Sequence, residues 1–272
     1  MIEGLKIEHV EDLHFIDSPE DIAEWEQANK DLDKITEELV VEILNGGNAL
    51  FLGDGMTAKV YLPEKNKVIC FKIICYLDQA GRNIPKDKLI RPTTNYLPND
   101  QDNGYHLPEE EVKFMRYVYT KGSDVKVPRP FSFASFVRGN DGDTYMVKEH
   151  IHLIAMERMN AVSIKEVLEN KKELPKSFNR QDFFKKLREF IVSMNEDTDV
   201  HHRDLHEGNV MIDIETGNPC VIDFGKATRG IGHDNPYREE SSVGKTIVYT
   251  KDLDWVDKLE SEMARFDSEK NG

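Results

Sequence analysis

The stretch His202-Arg203-Asp204-Leu205-His206-Glu207-Gly208-Asn209, followed by Val221-Ile222-Asp223-Phe224-Gly225, constrains this chain more than any other. It sets an Asp and an Asn five residues apart in one run. A second Asp follows after Val210-Met211-Ile212-Asp213, a polar Glu215-Thr216-Gly217-Asn218 run and Cys220-Val221-Ile222. Short apolar runs on either side of a Gly/Asn turn read as a β-hairpin. The hairpin carries Asp204 and Asn209 at its entrance and Asp223 at its exit. Phosphoryl transfer needs such a set. One carboxylate receives or orients the proton of an attacking hydroxyl, while an amide and a second carboxylate hold Mg²⁺ on the phosphates.

Further parts stand upstream. Ala49 to Tyr61 reads as a strand, a glycine turn and a second strand, with Gly53, Asp54 and Gly55 in the turn and Ala58 and Val60 after it. Without Cβ atoms, backbone N–H groups can approach phosphate oxygens; a plain β-turn has the same letters. Val68-Ile69-Cys70-Phe71-Lys72-Ile73-Ile74 is the next strand, with one lysine inside an apolar run. A fully buried lysine is rare unless paired, and the alternative is a side chain that snorkels to solvent. Glu109-Glu110-Glu111 opens a helix in which Val112, Met115 and Tyr119 share a face, and acids suit that dipole end.

These stretches resemble the protein-kinase-like superfamily in order and content: its Gly-rich loop, strand lysine, catalytic loop and metal-binding DFG motif. The resemblance covers about residues 49–265. It implies that Asp204 is the catalytic base and that Asn209 and Asp223 are the metal ligands. It implies that Lys72 holds the nucleotide phosphates and pairs with a helix glutamate, Glu111 or, as the second choice, Glu110. Gly53, Asp54, Gly55 and Val60 match the Gly-rich loop, with Ala58 in the third glycine slot. Met156, Glu157 and Met159 match the interlobe hinge that bonds adenine. The expected fold is α+β and bilobal, with a small β-rich N-lobe and a shortened helical C-lobe. Residues 1–47 form a helical N-terminal extension, 48–159 the N-lobe with a long insertion at 77–107, and 160–272 the C-lobe. ATP and Mg²⁺ are the implied cofactors, with ATP between the lobes.

Which branch of the superfamily applies is divided between two signals. Arg203 and the full Asp-Phe-Gly resemble protein kinases, whereas His206-x-Gly208-Asn209 resembles the loop of aminoglycoside and choline phosphotransferases. Ordinary Ser/Thr kinases carry Lys where His206 stands, and that Lys helps neutralise the transferred phosphoryl. The short second lobe resembles compact atypical kinases, including Rio-type and bacterial effector kinases. The expectation is an atypical serine/threonine protein kinase acting on a protein hydroxyl. The alternatives are a small-molecule kinase and a pseudokinase binding module.

The rest of the chain fits a globular unit. Its 272 residues suffice to bury about three quarters of the unfolded surface. The balance of 32% charged and 39% hydrophobic residues excludes a disordered chain. No apolar run reaches the roughly 20 residues of a membrane span, and the N-terminus shows no signal-peptide pattern. A net charge of −15 opposes nucleic acid and anionic membranes as partners. Three cysteines, Cys70, Cys75 and Cys220, form no CxxC pair. They read as reduced thiols of a cytoplasmic protein, one delivered into a host cell if it is an effector.

Local signals place further elements. Ser18-Pro19-Glu20-Asp21 suits a helix start, and apolar residues from Ile22 to Leu44 recur at helical spacing until Gly46-Gly47-Asn48. Ser163 to Glu166 is a capping-box pattern, and Asn179 caps a helix whose stripe runs from Phe183 to Met194. His201, His202 and His206 lack the companion set of a zinc site, and His202 resembles the superfamily's structural histidine. Asp252 or Asp254 is expected to brace the catalytic loop, or else simply to open the last helix. Arg203 could pair with a phosphate on Thr228, Ser241, Ser242 or Thr246.

Overall fold

The structure, a computed structural model, describes residues 6–9, 32–44, 50–54, 58–63, 68–76, 108–119, 123–139, 148–229, 237–240, 246–249 and 252–271. The insertion at 77–107, the predicted helix start at Ser18 and the Gly46–Asn48 stop lie outside them. The chain divides into two units, Met1–Val112 with Arg129–Arg158, and Lys113–Pro128 with Met159–Gly272.

The first unit is a six-stranded antiparallel sheet. Its strands are β1 (Lys6–His9), β2 (Leu50–Asp54), β3 (Ala58–Leu62), β4 (Ile69–Tyr76), β5 (Pro130–Gly139) and β6 (Lys148–Glu157), in the order β1-β5-β6-β4-β3-β2. Strand β4 shows why an unbroken apolar run can be a strand: both of its faces are covered, as such runs require. Ile69, Phe71 and Ile73 face one way and pack with Leu153 and Ala155 against helix α1 (Leu32–Leu44). That helix presents Leu32, Ile35, Leu39 and Val40 at helical spacing. Ile74, on the opposite face, packs with Ile154 and with Val112 of helix α2 (Pro108–Val118). Alternation along β4 therefore sends Lys72 to the α2 side.

The expected N-terminal extension is not helical throughout. Lys6–His9 adds an edge strand beside β5, with Ile7 opposite Ala134 and packed on the core. Four residues carry too little periodicity to reveal a strand whose stability comes from its partner.

In the second unit, β7 (Ala161–Ser163) runs into the short helix α3 (Ile164–Leu168), and α4 (Arg180–Thr198) follows. The predicted caps form: Ser163 and Glu166 exchange a reciprocal capping box, and Asn179 accepts from the Asp182 N–H at 3.1 Å. Strands β8 (Val200–His201), β9 (Val210–Asp213), β10 (Pro219–Val221) and β11 (Thr228–Arg229) make two small sheets, β10-β9-β7 and β11-β8. Strands β12 (Tyr237–Glu240) and β13 (Thr246–Tyr249) pair with each other. The last helix, α5 (Asp252–Asn271), buries Val256, Leu259, Met263 and Phe266. Arg188 of α4 bonds Asp257 at 2.7 Å and also Glu260, and Arg180 bonds Asp267 at 2.6 Å.

Lys113–Pro128 groups with this unit because its backbone joins β10. Lys126 N–H donates to Pro219 O and Val221 N–H to Lys126 O, both at 2.9 Å. No helix among the described residues is long and apolar enough to cross a membrane. Cys70 and Cys220 are free and buried, and burial pushes the Cys70 thiol up to about 12, which makes it inert.

Candidate active site

Lys72 is 5% exposed and Glu111 2%. Lys72 Nζ donates to Glu111 Oε1 at 2.7 Å and to Oε2 at 2.9 Å. The open choice between two glutamates is thereby resolved as a contact: Glu111 turns inward next to Val112, while Glu110 stays half-buried. A charge this buried is tolerable only with such a partner.

Around Lys72, the strand register assembles one sheet face. Val60 and Ile154 stand opposite Lys72, and Met156 stands opposite Cys70. Gly53 and Asp54 end β2 opposite Val60 and Lys59, after a bulge between Phe51 and Gly53. Gly55 lies outside the described residues. Glu157 ends β6 and donates its N–H to Arg129 O at 2.8 Å. Its carbonyl faces Cys70 Sγ at 3.8 Å. Met159, half-buried, begins the second unit.

In the second unit the loop from His202 to Asn209 is pinned from behind. Asp252 accepts the His202 N–H on Oδ2 and the Arg203 N–H on Oδ1, each at 2.7 Å. Of the two acids weighed in the sequence, Asp252 is the brace, and Asp254 is exposed. The brace has something to hold. Arg203 has φ 67° and Asp223 φ 64°, a left-handed backbone that costs non-glycine residues about 1–3 kcal/mol each. At Arg203 the hydrogen bonds to the Asp252 carboxylate, about 1.5–3 kcal/mol each, offset it.

His202 ties the two motif stretches together. It is fully buried, its Nε2 lies 3.0 Å from Ile222 O, and its Nδ1 accepts the Asp204 N–H at 3.3 Å. These bonds fit a neutral ring protonated on Nε2. Burial lowers its pKa below the ordinary 6.5, outweighing the upward pull of Asp252, Asp204 and Asp223. The ring also packs on buried Phe224 at 4.7 Å. With both nitrogens committed, His202 is no zinc ligand.

A stability consequence follows. Below pH 6.5 the unfolded chain binds a proton on His202 that the folded chain refuses. Stability should therefore fall on acidification by up to about 1.4 kcal/mol per pH unit until the folded pKa is reached. Urea unfolding at several pH values from about 7.5 to 5.5 measures this. His202→Gln should lose that part of the slope; an unchanged slope would contradict the assignment.

Asp204 and Asn209, at 9% and 6% exposure, form the centre of the loop. Asn209 Nδ2 donates to Asp204 O at 2.9 Å and lies 3.5 Å from Asp204 Oδ2. Asn209 O accepts the Ile222 N–H at 3.0 Å, which fastens Asp223 beside the loop. Asp223 Oδ1 accepts the Gly225 N–H at 3.3 Å. With Nδ2 used, Oδ1 is the acceptor that Asn209 retains for a cation. Among the described residues no three His, Cys, Asp or Glu side chains group as a metal cage. Mg²⁺ asks for none, being held by one or two carboxylates together with substrate phosphates and water. The donor set of Asn209 and Asp223 fits it.

One neighbour was not foreseen. Lys226 Nζ bonds Asp204 Oδ1 at 3.1 Å. Its only signal in the sequence is a basic residue directly after Asp-Phe-Gly. Thr228, weighed as a phosphate acceptor, is 9% exposed and paired with His201. Ser241, Ser242 and the Thr246 side chain lie outside the described residues.

Residues 164–233 match the family model of APH, the phosphotransferase enzyme family. The span holds Asp204, Asn209, Asp223 and Lys226, and the family is part of the protein-kinase-like superfamily. A search of curated proteins finds no match. The resemblance read from the sequence and the α+β class both stand.

Proposed function

We propose that this chain, whose residues 164–233 match the phosphotransferase enzyme family model, moves the γ-phosphoryl group of ATP to a protein serine or threonine hydroxyl. One observation carries the reading: Asn209 is bonded to Asp204 through its side-chain amide and to the Asp223 stretch through its carbonyl, which accepts the Ile222 N–H, in a loop that Asp252 braces. In this reading Asp204 orients the acceptor hydroxyl and takes its proton. The oxygen of the acceptor hydroxyl bonds to the γ-phosphorus, the bond to the bridging oxygen breaks, and ADP leaves with the electron pair. Mg²⁺ on Asn209 and Asp223 would neutralise phosphate charge. Lys72, oriented by Glu111, engages the phosphates, and Gly53, Asp54, Gly55 and Val60 line them. Met156, Glu157 and Met159 serve the adenine. Arg203 and the complete Asp-Phe-Gly favour a protein acceptor. Buried free thiols at Cys70 and Cys220 support a cytoplasmic working place.

A second reading, transfer to a small-molecule hydroxyl, is favoured by the phosphotransferase-family match and by His206 in the loop. The full chain, γ-labelled ATP, Mg²⁺, a generic protein acceptor and a panel of amino alcohols separate the two. Label on protein hydroxyls is expected. Label on small molecules alone would replace the first reading by the second. Thermal shift with MgATP tests binding separately, since a ligand at about 100 times its Kd stabilises by about 2.7 kcal/mol.

A further inference from the structure

We infer that Lys226 is a catalytic residue that stabilises the charge of the phosphoryl group in flight, a role the loop itself does not fill. The inference rests on the phosphoryl-transfer reading above. In that transition state, negative charge is spread over the three equatorial oxygens of the moving group. A fixed cation aimed at them accelerates the step more than it aids ground-state binding.

The catalytic loop offers a poor cation for this. His206 Nδ1 accepts the Gly208 N–H at 3.0 Å, which turns that nitrogen onto the loop's own backbone. The ring sits tightly over Gly208, where a Cβ would lie 2.8 Å from His206 Cε1. Its Nε2 is 3.9 Å from Asp204 Oδ2, beyond hydrogen-bond range.

Lys226 is built differently. The turn that carries it is anchored on both sides: Phe224 and Ala227 are fully buried, and the Ala227 N–H donates to Phe224 O at 3.0 Å. Thr228 then joins β11 opposite His201. The ammonium therefore reaches Asp204 Oδ1 from a fixed base, with the lysine side chain 24% exposed and that of Asp204 13%. Asp204 is the group that receives the acceptor hydroxyl. A cation on its carboxylate stands beside the oxygen that attacks phosphorus. An ammonium has three donors on a flexible stem, so Lys226 can keep Asp204 and donate a second N–H to a non-bridging phosphoryl oxygen. It retains its proton throughout; the hydroxyl proton goes to Asp204.

Lys226→Met keeps the length and removes the charge. Its kcat should fall about 10²–10³-fold, with KM for ATP within about threefold of wild type. Adding His206→Lys to Lys226→Met should recover about tenfold or more, which a purely structural lysine would not allow. A readout free of turnover is thermal shift. MgADP alone should stabilise wild type and Lys226→Met equally, while MgADP with aluminium fluoride should add stabilisation only where Lys226 is present. Turnover by Lys226→Met within about threefold of an active wild type, or equal fluoride-dependent shifts, would overturn the role of Lys226 alone. A wild-type chain that binds MgATP and transfers no phosphate would overturn the underlying reading with it.

Discussion

Asp204→Asn is expected to cut phosphoryl transfer about 10²–10⁴-fold, the usual worth of a positioned general base, while the protein stays folded. The amide keeps the shape of the carboxylate. The bonds from Asp204 N to His202 Nδ1 and from Asn209 Nδ2 to Asp204 O use no side-chain atom of Asp204 and persist. What is lost is the group that takes the hydroxyl proton, together with the charge that holds Lys226 at 3.1 Å. The check is kcat/KM beside a urea unfolding curve. Loss of turnover with an unchanged curve meets the expectation. Turnover within about tenfold of wild type would remove Asp204 from the chemistry.

Glu111→Ala is expected to act on stability as strongly as on activity. It takes the Glu111 carboxylate away from the Lys72 ammonium, 5% exposed, in the apolar layer between β4 and α2. Removing one partner of a buried ion pair costs about 3–5 kcal/mol. Replacing both partners by apolar residues of similar volume, as in Lys72→Met with Glu111→Leu, should recover most of that loss, because no charge is then left desolvated. The double variant should fold and still fail to transfer phosphate. Urea midpoints for the two single variants and the double variant test this. A Glu111→Ala cost below about 1 kcal/mol would match an exposed pair and contradict the burial described here.

Much of this was legible in the sequence, for reasons that differ by residue. The apolar run of β4 announced a buried strand, and one lysine inside it demanded a carboxylate. The sequence put Glu111 ahead of Glu110, and the contact is with Glu111. Glu109, Glu110 and Glu111 all suit a helix start, and only the packing of Val112 on Ile74 and Ile154 turns Glu111 inward. The loop and hairpin of the second unit were readable because their bonds are local: Asp204 to Asn209, His206 to Gly208, and Asn209 across to Ile222. The family match covers this same region. Lys226 and Asp252 were harder because their partners lie 22 and about 50 residues away, where no spacing rule reaches. Strand β1 was hidden for the same reason, since its four residues are strand only beside β5. The left-handed backbone at Arg203 and Asp223 has no compositional mark either. At Arg203 it becomes intelligible once Asp252 is seen to accept that residue's N–H.

The most direct test follows γ-phosphate from ATP to acceptor as Mg²⁺ is titrated, for the full chain and for Asp223→Ala, with Asp223→Asn as a variant better suited to the left-handed backbone. The expected result is Mg²⁺-dependent transfer by the natural chain, none by Asp223→Ala, and a severe loss in Asp223→Asn with normal unfolding. Near-normal turnover by folded Asp223→Ala would contradict it.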